Sequence, residues 1–460
     1  MSVLIKNGHI VNAAEDYYGD LYIENGKIAA IGKDLPHQAE KVIDASGKLV
    51  FPGGVDPHVH LEMPFMGTFS SDGYETGTRA ALHGGTTTVI DFALQKQGES
   101  LQEAIDTWTE KSEGKAVGDY SWHLGVTDFN DQTEKEVVDL IENRGITSFK
   151  TFMAYKGALM IDDGQRTRLM EVARDHGGLV TVHATNGDMI DAMVAQCKAE
   201  GKRAPLYHYL TQPEVTEAEA SARFTDMLNY TDCAGYIVHV TCEGAVEAIR
   251  EATHRNQKVF GETCIQYLLL DASLYEQDFD GAKWVMSPPL RQKKDQEALW
   301  SAINQGLIQV LATDHCPFTW EQKQMGKDDF SKIPNGHPAI EHRMELLYSE
   351  GVRTGKLSLT KFIELTCTNP AKIFGMYPKK GTIAIGADAD VVIFDPEKQH
   401  TLSAQTHHMN TDYSGYEGWN VTGKTETVML RGETAIENGK CHLEPGFGQF
   451  IKRGKTSLHI

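Results

Sequence analysis

The chain has 460 residues, 40% hydrophobic and 23% charged. That is enough for a (β/α)8 barrel of about 250 residues with a smaller domain beside it, and the composition is not that of a disordered chain. Its formal net charge of -20 argues against nucleic-acid binding, which needs basic surface to neutralise phosphates. With no apolar run approaching the roughly 18 residues of a membrane helix and no basic-then-apolar leader at the N-terminus, a cytoplasmic protein with no membrane partner is expected.

The first fifty residues carry short apolar runs broken by turn signals, among them Asn25-Gly26, the strongest short hairpin signal. The same texture returns in GTIAIGADADVVIFDP (381–396) and VMLRGETAIENGK (428–440), where ENGK repeats the tetrapeptide at 24–27. A small β-sandwich domain built from both chain ends is therefore expected, from residues 1–52 and 375–440. Residues 441–460 form a tail read as a candidate subunit contact.

Between these ends, strand-like and helix-like stretches alternate, the pattern that a parallel sheet requires. Eight β-branched, apolar runs stand out: KLVFPGGVD, GTTTVIDF, SWHLGVTD, SFKTFMAY, GLVTVHA, GYIVHVT, KVFGETCI and IQVLATDH. Helices are expected over 101–111, 134–143, 166–175, 189–200, 217–229, 244–255 and 295–305, with a shorter one at 77–82. The fold class is α/β, with residues 53–374 forming a TIM-like (β/α)8 catalytic barrel. An open doubly wound sheet fits less well, because no GxGxxG follows the first strand. Seven cysteines, odd in number and without a CxxC pair, point to free thiols rather than a disulfide framework.

Polar residues punctuate these runs where barrel strands reach their mouth, the face on which such barrels carry active sites. His58 and His60 end the first run, Lys150 lies in the fourth, His183 ends the fifth, His239 the sixth and Asp314 the eighth. Alternate residues of a strand face one side, so His58 and His60 can serve one ion. Imidazole and carboxylate suit zinc first, with manganese or cobalt compatible. Lys150 has two readings: a lysine paired to a carboxylate at the rim, or a carboxylated lysine (N6-carboxylysine, a carbon dioxide adduct) whose anionic carbamate bridges two divalent ions. Met63, Phe65, Phe152 and Leu159 sit on loops and strand ends beside these residues and are candidates for an apolar substituent pocket.

The set PGGVDPHVHLEMPF (52–65), GGTTTVIDF (84–92), SFKTFMAYKG (148–157), VHAT (182–185), VHVT (238–241), MSPPLR (286–291) and TDHCPF (313–318) resembles the cyclic amidohydrolases, most closely the hydantoinase/dihydropyrimidinase group. The resemblance implies that His58, His60, Lys150 and Asp314 hold one metal and Lys150, His183 and His239 the other, with Lys150 carboxylated. It further implies that Tyr155 donates to the carbonyl under attack, and that Ser287 and Asn335 bind the ring amide through their backbone. The implied reaction is hydrolysis of hydantoins or dihydropyrimidines, small cyclic ureides, to N-carbamoyl amino acids by a hydroxide bridging the metals. Asp314 would act as the proton carrier and the assembly would be a homotetramer.

Dihydroorotase-like relatives read HxHxR, whereas Leu61-Glu62 follows His60 here, which argues against an acidic substrate. Allantoinase-like enzymes are the nearest alternative and differ after HxH, where this chain has Met63-Pro64-Phe65-Met66. Non-catalytic collapsin-response-like scaffold proteins have lost metal ligands that this chain retains.

Overall fold

The computed structural model describes residues 2–458. Eight parallel strands follow one another around the molecule: Gly54–Val59, Thr86–Leu94, Asp119–Gly125, Ser148–Phe152, Leu179–His183, Gly235–Ile237, Val259–Cys264 and Val310–Ala312. Every residue in them is buried, as strands covered on both faces must be, and that explains their continuous apolar sequence. The last strand meets the first through the Val59–His315 bridge, where the His60 N–H donates to the His315 carbonyl at 2.8 Å. The TIM-like barrel expected from the alternation is thus present.

Crossover helices fill the outside. Leu101–Ser112 starts at Ser100, whose hydroxyl accepts from the Glu103 N–H while the Glu103 carboxylate accepts from the Ser100 N–H, a reciprocal cap that satisfies two otherwise free donors. Three helices extend outward at both ends from those expected, to Tyr74–His83, Asp163–His176 and Glu214–Thr231. In the second, the Asp162 carboxylate accepts from the Gln165 N–H and starts the helix earlier. The helix expected over 134–143 instead runs Asp131–Asp139 and passes into a π turn, Leu140–Arg144. The short helices Leu206–Leu210, Trp320–Lys323 and Arg343–Leu347 lie in segments without clear periodicity.

The chain-end strands form one mixed nine-stranded sheet. Leu49–Pro52 pairs parallel with Ser2–Val11 on one side and antiparallel with Val391–Thr401 on the other, so both chain ends meet in it. KLVFPGGVD is therefore not one strand: its first half belongs to this sheet and its second to the barrel. Val3, Ile5, Leu21, Ile23, Val391 and Met429 pack as its core. The repeated ENGK makes the same turn twice, Asn25-Gly26 at φ 52° and 76° and Asn438-Gly439 at φ 52° and 71°, the left-handed pair that a tight hairpin needs.

Lys380 joins the two parts. Its buried Nζ lies 2.7 Å from Asp119 of the third barrel strand, 2.7 Å from Asp390 and 3.1 Å from Asp388. The tail lies along its own barrel, with the Tyr120 N–H donating to the Gln449 carbonyl and the Ile451 N–H to the Tyr120 carbonyl. All seven cysteines are free, and among the described residues no helix is long and apolar enough to cross a membrane.

Candidate active site

A cavity opens at the C-terminal end of the barrel, and all six polar residues singled out in and at the ends of the strand runs line it: His58, His60, Lys150, His183, His239 and Asp314. His183 ends the fifth strand. His239 and Asp314 lie two residues beyond the last paired residues of the sixth and eighth strands, in left-handed backbone at φ 39° and 50°. Tyr155 also adopts this region, at φ 65°. Each such non-glycine residue costs on the order of 1–3 kcal/mol, so the surrounding packing holds these side chains in place against local preference.

The donor atoms converge. His58 Nε2 and His60 Nε2 each lie 3.1 Å from Asp314 Oδ1, and His183 Nδ1 lies 2.9 Å from His239 Nε2. His58, His239 and Asp314 offer ligand atoms within 4.8 Å of one another. Spacings near 3 Å between ligand atoms are what metal bonds of about 2.0–2.2 Å produce around a shared ion. His60 Nδ1 is buried without a hydrogen-bond partner. The nitrogen and oxygen donors present therefore fit a divalent metal.

Lys150 is fully buried between these donors, with Nζ 4.8 Å from the centre of the Phe92 ring and 5.4 Å from that of Phe152. Among the described residues it forms no ion pair, so the rim pairing with a carboxylate is not what it makes. Burial outweighs the fields of Glu262 and Asp314 and brings its amine down to about 8. Burial also disfavours charge on His58, but Asp314 and Glu262 carry it up to about 9. For His183, burial reinforced by Lys150 pushes the ring down to about 3. The Asp314 carboxyl, despite burial, is held well below the usual carboxylate range by His58 and His60.

Glu262, in the middle of the seventh strand, was not anticipated from the sequence. Its Oε1 lies 2.6 Å from His58 Nδ1 and accepts from the His239 N–H at 3.0 Å, while the Tyr236 hydroxyl donates to Oε2 at 2.8 Å. A carboxylate on the far nitrogen fixes the ring and tautomer of a ligand histidine. A lone acid inside the apolar run KVFGETCI was the available signal.

On another wall lie Tyr155, Ser287 and Asn335. Burial pushes the Tyr155 hydroxyl up to about 12, with hydrogen bonding to the Ser287 and Asn335 side chains opposing, so it is a proton donor at neutral pH. Met63, Phe65, Phe152 and Leu159 line the same cavity, as do Leu94, Cys316 and Gly336, which the sequence pattern had not singled out. Phe65 meets Tyr155 edge-on, with ring centres 5.7 Å apart. Glu62 is absent from the lining, so the case against an acidic substrate rests on the apolar Met63 and Phe65 rather than on its charge.

Comparison with known proteins agrees with this geometry. Residues 49–435 match the amidohydrolase family. The chain is 50% identical to a D-hydantoinase of Geobacillus stearothermophilus over 99% of its own length and 97% of the relative's, and 39% identical to a dihydropyrimidinase of Rattus norvegicus over 98% and 88%. It superposes on the crystal structure of a dihydropyrimidinase from Brevibacillus agri with a TM-score of 0.98 and 49% identity, covering 99% of this chain and 100% of that one. On its barrel, its converging donors and these full-length likenesses, the chain belongs to the amidohydrolase family, in the hydantoinase/dihydropyrimidinase group.

Proposed function

We propose that this protein hydrolyses the cyclic amide bond of hydantoins or dihydropyrimidines to give N-carbamoyl amino acids. The observation that carries the reading is the placement of the hydroxyl of the half-buried Tyr155, with Ser287 and Asn335 beside it, in the same cavity as six converging potential metal ligands. His58, His60, Lys150 and Asp314 would hold one divalent metal and Lys150, His183 and His239 the other, with zinc favoured and manganese or cobalt compatible. Lys150 would serve as its carbamate, since an ammonium without a counter-ion would repel cations. Metals bound there lower the pKa of water and polarise a carbonyl.

The chain's own groups would do the rest. Ser287 and Asn335 orient the flat ring through backbone hydrogen bonds. The Tyr155 hydroxyl donates to the carbonyl oxygen as negative charge grows on it. Asp314, whose Oδ1 faces His58 and His60, takes the water proton on Oδ2 and returns it to the departing ring nitrogen. Met63, Phe65, Phe152 and Leu159 shield the ring substituent from water.

The test is to measure metal and bound carbon dioxide in the purified protein, then turnover of dihydrouracil, a 5-aryl hydantoin, allantoin and dihydroorotate. Turnover of the first two with about two metals per chain is expected. Turnover of allantoin alone would transfer the reading to an allantoinase, and metal-restored protein inert toward all four would make it a scaffold. A cytoplasmic homotetramer belongs to the same proposal and is checked by sedimentation.

A further inference from the structure

Lys323 ends the helix Trp320–Lys323, and its side chain is completely buried. Burial opposes the charge on its amine, and among the described residues no carboxylate pairs with it. Instead Nζ faces three carbonyl oxygens, those of Val285 at 2.8 Å, Pro334 at 2.7 Å and Gly336 at 2.8 Å. An ammonium has three donors and no acceptor, so three carbonyls match the charged form, whereas a neutral amine could serve only two.

These carbonyls belong to two separate segments. Val285 lies two residues before Ser287, and Pro334 and Gly336 flank Asn335. The Gly336 N–H also donates to the Val285 carbonyl at 2.9 Å, so the segments are joined twice. Gly336 is also pressed against the loop after the eighth strand, where a Cβ on it would lie 2.0 Å from the Cys316 carbonyl oxygen. Lys323 itself does not line the cavity.

We infer that Lys323 is a positioning residue for substrate: its ammonium clamps segments 285–287 and 334–336 together and so sets the ring-binding wall formed by Ser287 and Asn335. The inference rests on the proposed reading of those two residues as the ring's binding partners. A side chain without donors would leave the Pro334 and Gly336 carbonyls short of a partner and the Val285 carbonyl with the Gly336 N–H alone, and the wall would relax. The metal ligands stand on other elements and would keep their places.

The experiment compares wild type with Lys323→Met and Lys323→Gln as full-length, metal-loaded protein. Metal content, steady-state kinetics on a 5-aryl hydantoin and amide hydrogen exchange of the peptides covering 285–288 and 334–337 are measured. Expected for Lys323→Met are unchanged metal content, KM raised at least about tenfold with a smaller loss of kcat, and faster exchange confined to those peptides. Lys323→Gln keeps an amide donor, so it should fall between the two and supplies the same readouts if Lys323→Met does not fold. A KM within twofold of wild type alongside faster exchange would reduce Lys323 to a structural role and overturn the inference. Unchanged exchange in both variants would overturn the clamp itself. Wild-type protein that turns over no cyclic ureide would instead overturn the reading of function, and the positioning role with it, whatever the exchange shows.

Discussion

Tyr155 and Glu262 do different work on the same centre, and substitution separates them. Under the proposed function, Tyr155→Phe would remove one hydrogen-bond donor from the carbonyl under attack and no metal ligand. We expect kcat/KM on a hydantoin to fall by about 10²–10³ at unchanged metal content, and wild-type kcat/KM would rule out the oxyanion role. Glu262→Gln keeps the shape of the side chain but weakens its grip on His58 Nδ1, 2.6 Å away. Metal affinity should drop about 10–100-fold, read by competition with a chelator, with activity restored at high metal; unchanged affinity would mean that Glu262 only fills the barrel. His58, His60, His183, His239 and Asp314 were legible because polar groups at the ends of apolar strands are costly to bury without a partner, and a barrel mouth is where such a partner binds, while mid-strand Lys150 was legible through the motif SFKTFMAYKG. Glu262 was not, since a mid-strand acid reads equally as a structural charge until the partner on its far side is known.

At the level of elements, the barrel strands announced themselves through β-branched runs, and the two ENGK hairpins through their turn residues. What stayed hidden were short helices and loops after the eighth strand, which lack a helical period and are shaped by the residues packed over them. Gly336 is one such residue, pressed against the Cys316 carbonyl. Gly336→Ala must displace backbone, and we expect a loss of roughly 1–3 kcal/mol, seen as a lower Tm together with a raised KM. An alanine variant with wild-type Tm would show that the loop yields freely. The run KLVFPGGVD shows the opposite difficulty. Its apolar pattern is continuous, but only the pairing of Leu49–Pro52 with Val391–Thr401 assigns its first half to another sheet.

Across the whole molecule, barrel and chain-end sheet are locked by Lys380 among Asp119, Asp388 and Asp390. Burial opposes its charge, but the three carboxylates win and raise its pKa. Its stabilisation is therefore complete below the unfolded value of about 10.4 and is lost as pH climbs through the higher folded value. Lys380→Met should cost about 3–5 kcal/mol at neutral pH, and its Tm deficit should shrink as pH passes above that unfolded value. A deficit independent of pH would place the loss in packing instead of charge. By itself, the sequence determined the α/β barrel, the β layer drawn from both ends and the polar residues at the strand ends, because hydrophobic period, turn chemistry and metal-ligand preference are local properties of a chain. Only the tertiary structure decided that Glu262 backs His58, that Lys150 makes no direct ion pair among the described residues, and that Lys323 holds Val285, Pro334 and Gly336. Each depends on groups far apart in sequence meeting out of water, where a missing partner is costly and no local pattern records who the partner is.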